Sequence, residues 1–127
     1  MSRAVLDASA ILALLRREKG SEKVAKRLRG SLVSSVNIAE VLCLSRDRGT
    51  SPEADAWALS NMELVCIPFD EEQAHVVASI YRATSGGNVG FADRACMSLG
   101  LLNKLPVLTG DREWKNFDIG LEVQLFR

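Results

Sequence analysis

Short apolar runs alternate with longer segments of helical periodicity along the whole chain. Between the short runs, apolar residues recur at the three- and four-residue spacing of amphipathic helices. Strands that alternate with helices form a parallel sheet whose two faces are covered by the helices. The pattern predicts one α/β domain over residues 1–127, with a central, mostly parallel sheet. The runs that predict strands are 3–6, 32–33, 64–67, 106–109 and 122–126.

Capping residues predict where the helices begin and end. Ser51, Pro52 and Glu53 are typical of a helix start, with a cap, a proline in the first turn and an acid near the positive helix end. A loop with three glycines precedes the last helix, and loops of this composition are flexible or functional. The predicted helices follow residues 7–9, then cover 21–29 with Gly30 as the stop, 35–48, 52–61, 70–83 and 91–104.

The composition is that of a folded globular domain. The chain has 127 residues and a mass of 13.9 kDa, and it is 47% hydrophobic and 25% charged. These values exclude a collagen, a disordered tail and a disulfide-stapled miniprotein. A chain of this length buries roughly two-thirds of its unfolded surface, so it needs no metal to fold. A bound metal would therefore serve chemistry.

Cysteine and histidine usage excludes several kinds of site. Cys43, Cys66 and Cys96 are odd in number and lie in apolar stretches, so we expect reduced core residues of a cytoplasmic protein. With His75 as the only histidine, a structural zinc site and a Ser-His-Asp mechanism have little support. The apolar run at residues 10–15 is too short to span a bilayer, so we expect no membrane partner.

The charges are balanced in total but unevenly distributed. Lys plus Arg and Asp plus Glu both number 16, yet residues 1–50 carry ten basic and five acidic side chains. Solvated helix faces would produce the same asymmetry. A basic N-terminal half is also suited to the phosphates of a nucleic acid.

Four acidic residues lie where a parallel sheet places its ligand sites. Asp7 and Asp111 directly follow predicted strands, and Glu40 and Asp93 lie early in helices, among apolar or small residues. Ligands bind outside the carboxyl ends of such strands, so we expect the four acids to converge. Clustered carboxylates raise one another's pKa and are typical of a divalent cation site, here for Mg²⁺ or Mn²⁺. Each acid alone would also fit a cap, a dipole partner or a turn.

The four acids lie in the segments 5–12, 36–41, 90–96 and 107–114. In order and approximate spacing, these segments resemble the PIN-domain ribonucleases, and most of all the VapC-type toxins of prokaryotic toxin–antitoxin pairs. The resemblance covers essentially the whole chain. It implies a PIN-like fold and a metal-dependent endoribonuclease that hydrolyses RNA. It also implies a VapB-type antitoxin partner that covers the active site, and a homodimer.

The resemblance assigns roles to particular residues. Asp7, Glu40 and Asp93 match the three central acids, and Asp111 matches the more variable fourth. All four are then candidate catalytic residues and metal ligands for Mg²⁺ or Mn²⁺, with Glu40 either a ligand or the group that orients the attacking water. The hydroxyl residues Ser9 and Thr109 match small polar positions near the metal, where capping or turn hydrogen bonds are an equally open role.

Other interpretations remain open. A receiver domain requires neighbouring acids after its first strand, and a haloacid-dehalogenase-type phosphatase requires an aspartate where Ser9 stands, so both are weak. The stronger rival is a PIN-like module that binds a partner protein and has little nuclease activity. Arg94 and Arg112 adjoin candidate ligands and would meet the phosphate or pair with the acids. Four aromatic residues would stack on RNA bases or belong to the core or an interface, namely Trp57, Tyr81, Phe91 and Trp114.

Overall fold

Five short strands form one parallel sheet in a computed structural model that describes residues 2–127. The strand order is β3-β2-β1-β4-β5, and every neighbouring pair is parallel. The predicted α/β class is therefore confirmed, and the sheet is parallel throughout. Because parallel strands share a direction, their carboxyl ends meet at one edge, called here the carboxyl edge. The strands are β1 (Val5–Leu6), β2 (Leu32–Ser34), β3 (Val65–Ile67), β4 (Val107–Thr109) and β5 (Val123–Leu125).

Within residues 2–127, six α-helices connect the strands, and four of them have a side-chain cap. The side chains of Asp7, Ser34, Ser51 and Asp70 each accept a hydrogen bond from a backbone N–H of the first turn. Such caps satisfy donors that the helix itself leaves unpaired. The helices are α1 (Ala8–Arg16), α2 (Ser21–Ala25), α3 (Ser35–Asp47), α4 (Pro52–Ser60), α5 (Glu71–Thr84) and α6 (Phe91–Asn103), and a 3₁₀ turn follows β4 at Arg112–Asn116.

The second helix is shorter than predicted, because distant contacts redirect the chain after Ala25. The guanidinium of Arg27 donates to the carbonyl of Ser2 at 2.9 Å and to Oε1 of Gln124 at 2.6 Å. The hydroxyl of Ser31 donates to the carbonyl of Arg27, so this carbonyl accepts a side-chain hydrogen bond instead of a helical one. Gly30 has φ +78° and completes the turn into β2.

Two apolar clusters cover the two faces of the sheet. Leu6 and Val33 belong to the cluster under α1, whereas their neighbours Val5 and Leu32 belong to the cluster under α6. Successive strand residues point to opposite faces, so both faces of this sheet are buried. The prediction that helices flank both faces is confirmed.

The cysteine prediction is wrong for two residues of three. All three thiols are free and Cys96 is buried in α6, but Cys43 and Cys66 are exposed. Cys43 lies on the outer side of α3 and Cys66 on the edge strand β3, where apolar flanks do not guarantee burial. Within residues 2–127, no helix is long and apolar enough to cross a membrane.

Candidate active site

Asp7 is fixed in a buried position at the end of β1, where it is only 4% exposed. Its Oδ1 accepts hydrogen bonds from Oγ of Ser9 at 2.7 Å and from the N–H of Ala10 at 3.0 Å. Its Oδ2 accepts from Oγ1 of Thr109 at 2.6 Å. The pKa of Asp7 is raised to about 6, mainly by burial. The three hydrogen bonds lower it and the charge of Asp93 raises it, but burial has the largest effect. The carboxylate is therefore held in one position, and its negative charge is unfavourable there.

Ser9 and Thr109 are the hydroxyl residues that orient Asp7 and the turn after β4. Besides contacting Asp7, Oγ of Ser9 accepts from the N–H of Gly110 at 3.0 Å. In the same way, Oγ1 of Thr109 accepts from the N–H of Asp111 at 3.0 Å. Both therefore make the capping and turn hydrogen bonds considered from the sequence, and they tie the end of β1 to the end of β4.

Glu40 is half-buried on α3, one helical turn after the buried Asn37. Burial raises the pKa of Glu40, the Asn37 side chain lowers it, and the charge of Asp93 raises it. Nδ2 of Asn37 donates to the carbonyl of Ala92 at 3.1 Å, which joins α3 to the first turn of α6. Asn37 thus links the elements that carry Glu40 and Asp93. Its role was missed from the sequence, because its partner lies 55 positions away.

Asp93 is the common neighbour of the other acids. It lies in the first turn of α6, where Oδ2 accepts from the N–H of Gly90 at 3.1 Å. Burial raises its pKa most, the Gly90 hydrogen bond lowers it, and the charge of Asp111 raises it. Smaller effects come from Arg94, which lowers the pKa, and from Glu113, which raises it.

Asp111 and Glu113 lie together in the turn after β4. Oδ1 of Asp111 accepts from the N–H of Glu113 at 3.0 Å and caps the 3₁₀ turn. Oε1 of Glu113 accepts from the N–H of Asn88 at 2.6 Å and lies close against Gly87, in the glycine-rich loop. Glu113 is thus a fifth acid near the cluster. It was missed from the sequence, although it stands only two positions after Asp111.

Three of the acids act on one buried group, the thiol of Cys96, which lies one helical turn after Asp93 on α6. Burial raises the pKa of the Cys96 thiol well above its ordinary value, and the charges of Asp7, Asp93 and Glu40 raise it further. The four predicted acids are called here the acid cluster, and they are Asp7, Glu40, Asp93 and Asp111.

The acid cluster is loose. Within residues 2–127, no three His, Cys, Asp or Glu side chains are already gathered closely enough to hold a metal ion. The donor chemistry nevertheless fits Mg²⁺ or Mn²⁺, since the side chains are hard carboxylate oxygens that repel one another. A further hard oxygen, Oδ1 of Asn37, is buried without a hydrogen-bond partner in the described part of the chain. A cation would relieve the repulsion and draw the acids together.

The side chains of Arg94 and Arg112, which adjoin the acids in the sequence, make their hydrogen bonds elsewhere. Arg94 is buried against α5, where Nε donates to Oγ1 of Thr84 at 2.8 Å and the guanidinium lies 4.6 Å from the Tyr81 ring centre. Arg112 is exposed and donates to the carbonyl of Arg127 at 3.1 Å. Neither forms an ion pair with the acid cluster. Of the four aromatic residues, Trp114 is buried, whereas Trp57, Tyr81 and Phe91 are exposed.

A second concave region lies away from the acids. A cavity of about 460 Å³ opens between the C-terminal half of α1 and the helices α3 and α4. It combines apolar walls with two basic side chains, Arg16 and Arg48, and with the carboxylate of Asp55, which is paired with Arg46. The apolar walls include Leu12, Leu15, Ala54 and Ala58.

Comparisons with known proteins point to one family. The family model described as PIN domain matches residues 4–120. A comparison with the curated proteins finds no match.

Several solved structures share the fold. A chain of VapBC2 from Rickettsia felis, solved with a promoter DNA fragment, has a TM-score of 0.75 at 17% identity, over 98% of both chains. A chain of DNA-bound VapBC from Salmonella typhimurium has a TM-score of 0.74 at 19% identity, over the whole of both chains. The VapC20 toxin of Mycobacterium tuberculosis, described as cleaving the sarcin–ricin loop, has a TM-score of 0.71 at 12% identity, over 89% of this chain and 93% of that one.

Proposed function

The chain belongs to the PIN domain family, and from that premise we propose that it is a metal-dependent endoribonuclease, the toxin of a toxin–antitoxin pair. The observation that carries the proposal is the position of Asp93. It lies at the carboxyl edge of the sheet, where α/β folds bind ligands, and its charge raises the pKa of Asp7 and of Glu40, while the charge of Asp111 raises the pKa of Asp93 itself. Neither nearby arginine neutralises these acids by an ion pair, which favours a metal-dependent reaction on an anionic substrate.

In the proposed reaction, the four acids would hold Mg²⁺ or Mn²⁺, namely Asp7, Asp93, Glu40 and Asp111. A bound divalent cation neutralises phosphoryl oxygens and makes water nucleophilic at neutral pH. The carboxylate oxygens of Asp7 are fixed by three hydrogen bonds, so we expect them to move little when a cation binds. Glu40 is less buried and is suited to orient the attacking water. The oxygen of water would bond to phosphorus and water would release one proton to solvent, while the bond from phosphorus to the leaving oxygen breaks and that oxygen takes up one proton from solvent.

The cavity between α1, α3 and α4 suits the antitoxin. Its apolar walls fit an amphipathic segment of a partner, and Arg16 and Arg48 fit acidic side chains on that segment. In the solved relatives described as VapBC, toxin and antitoxin form a complex. We propose a VapB-type protein as the partner of this chain, together with a homodimer of the toxin. We also propose that the protein acts in the cytoplasm, where its RNA substrate is found.

Cleavage of a mixed cellular RNA pool tests the function. The purified protein, freed of any co-purified partner, is incubated with MgCl₂ or MnCl₂ and, separately, with chelator. We expect cleavage with metal, none with chelator, and a loss of at least about 100-fold in Asp93→Asn, beyond the range typical of groups that only support ligands. Asp47→Asn is the matched control, because Asp47 is an exposed acid at the end of α3.

Two outcomes would contradict the proposal. Cleavage that persists in chelator, or that Asp93→Asn and Asp47→Asn retain equally, would assign the activity to a contaminant or to another site. A folded wild type that is inactive with every metal and RNA, and that binds a partner protein tightly, would favour the protein-binding module.

A further inference from the structure

Two phenylalanine rings lie beside the acid cluster, on its β3 side. Phe69 follows β3 at the carboxyl edge, and Phe91 is the first residue of α6. The ring centres are 5.2 Å apart, and the ring planes meet at 72°, edge to face. Phe91 is 54% exposed, although a phenyl ring gains most when it is buried. The pair therefore presents an open aromatic surface.

The backbone around the pair is fixed by named hydrogen bonds. The N–H of Phe69 donates a hydrogen bond to Oγ of Ser35 at 3.1 Å, at the start of α3. The carbonyl of Pro68 accepts from Nε2 of the buried Gln73 at 2.8 Å. Beside Phe91, the carbonyl of Ala92 accepts from Asn37. The two rings are thus attached to the helices α3 and α6, which carry Glu40 and Asp93.

Phe91 and Asp93 leave the first turn of α6 in roughly opposite directions, because they are two residues apart on a helix. Phe91 reaches Phe69 on the β3 side, whereas Asp93 interacts with Asp7 and Asp111 on the β1 and β4 side. A nucleic-acid strand that placed a phosphate at Asp93 and crossed this turn would bring the adjoining base towards Phe91.

We propose that Phe69 and Phe91 form a stacking site for one unpaired base of the RNA, next to the phosphate that is cut. The proposal rests on the proposed function, since it takes RNA as the substrate. Aromatic faces bind any base that is free to leave its stack, so the site selects single-stranded RNA rather than a sequence. Stacking is also uncharged, so it adds affinity in a region where carboxylates repel phosphates.

Binding of single-stranded RNA tests the stacking site without relying on cleavage. The probe is a fluorescein-labelled RNA of mixed sequence, about ten nucleotides long, within the length that single-strand sites cover. Fluorescence anisotropy is measured in MgCl₂ with Asp7→Asn protein, which preserves the probe. Added to that background, Phe91→Ala is expected to weaken binding about 5- to 150-fold, the range for one lost base stack.

Controls separate stacking from a general loss of structure. Phe91→Trp keeps an aromatic face and should bind like the parent, whereas Trp57→Ala removes an exposed aromatic side chain on α4 and should change nothing. A second probe has the same sugars and phosphates but no bases. It should bind the parent protein more weakly than the full RNA, and Phe91→Ala should not weaken it further.

Failure of the stacking site and failure of the proposed function give different results. If wild type cuts RNA but Phe91→Ala binds both probes as the parent does, only the stacking proposal is wrong. An equal loss for both probes would also overturn it. A Phe91→Ala protein that binds RNA normally but no longer self-associates in ultracentrifugation would make this surface a protein interface. Wild type that neither cuts nor binds RNA would overturn the proposed function as well.

Discussion

Asp7 and Asp55 are buried to the same degree, at 4% and 3% exposure, but their surroundings differ in charge. Asp55 on α4 pairs with the guanidinium of Arg46 on α3 at 2.5 Å, so its charge is compensated and joins two helices. Asp7 has hydroxyl and N–H donors and an acidic neighbour, Asp93, and its pKa is raised to about 6. A compensated buried acid serves the fold, whereas an uncompensated one is held at a cost that a bound cation would remove.

The first prediction is that substitution of Asp7 lowers RNA cleavage much more than substitution of Asp55 does. Asp7→Asn should lower metal-dependent RNA cleavage by at least about 100-fold, since it removes a charge from the acid cluster. Asp55→Asn should keep activity within about threefold, since Asp55 pairs with Arg46 between α4 and α3 and lies outside the acid cluster. Initial rates on one labelled RNA measure both. Equal losses in the two variants would show that the difference in charge environment has no functional meaning.

The second prediction concerns the pH dependence of folding. The pKa of Asp7 is higher in the folded protein than its ordinary value of 3.8, so the folded state favours the protonated acid. Asp7 therefore contributes about 3 kcal/mol to the free energy of unfolding below about pH 4. This contribution is lost as the pH rises through about 6. Urea unfolding in chelator between pH 4 and pH 8 measures it.

Asp7→Asn isolates this contribution, because other carboxylates titrate in the same range. The variant should lack most of the fall in unfolding free energy that wild type undergoes between pH 4 and pH 7. An identical pH dependence in wild type and Asp7→Asn would mean that Asp7 is not held in the unfavourable environment described above.

The third prediction is that the two substitutions change stability in opposite directions at pH 8 in chelator. Asn keeps the cap of α1 and removes the buried charge, so Asp7→Asn should raise the free energy of unfolding by about 1 to 3 kcal/mol. Asp55→Asn removes the charge that compensates Arg46 and should lower it by about 1 to 2 kcal/mol. Urea titrations with a common m-value measure both. Destabilisation of the same size in both variants would contradict the prediction.

The position of Asp7 can be predicted from the sequence, because it depends on the local pattern and on strand direction. Asp7 is both a cap after β1 and a carboxyl-edge residue, and both properties follow from a strand, a turn and a helix in succession. Parallel strands then place Asp111 at the same edge without further information. The fold and the four candidate acids can therefore be predicted from the sequence.

What the sequence does not predict depends on contacts between distant segments. The end of α2 at Ala25 follows from Arg27 and Gln124, which are 97 positions apart. The link from Asn37 to Ala92 and that from Glu113 to Asn88 cross 55 and 25 positions. No periodicity or cap records such pairings, so the supporting residues around the acids emerge only from the fold. The compensation of Asp55 by Arg46 is invisible for the same reason.

The smallest predicted effect is stabilisation by the metal itself. A ligand that binds only the folded state adds RT ln(1 + [L]/Kd), about 1.4 kcal/mol at ten times Kd. MgCl₂ should therefore raise the thermal midpoint of wild type, and more at pH 8 than at pH 5, because the acids must lose their protons to bind a cation. Asp55→Asn should respond as wild type does, since its acid lies outside the cluster.

The variants decide whether the metal acts at the acid cluster. Asp93→Asn removes the acid that couples to the other three, so most of the Mg²⁺-dependent rise should disappear in this variant. NaCl at matched ionic strength is the control for general screening of the charges. A rise of equal size in Asp93→Asn and in wild type would place the cation elsewhere, and the uncompensated charge of Asp7 would then need another explanation than metal binding.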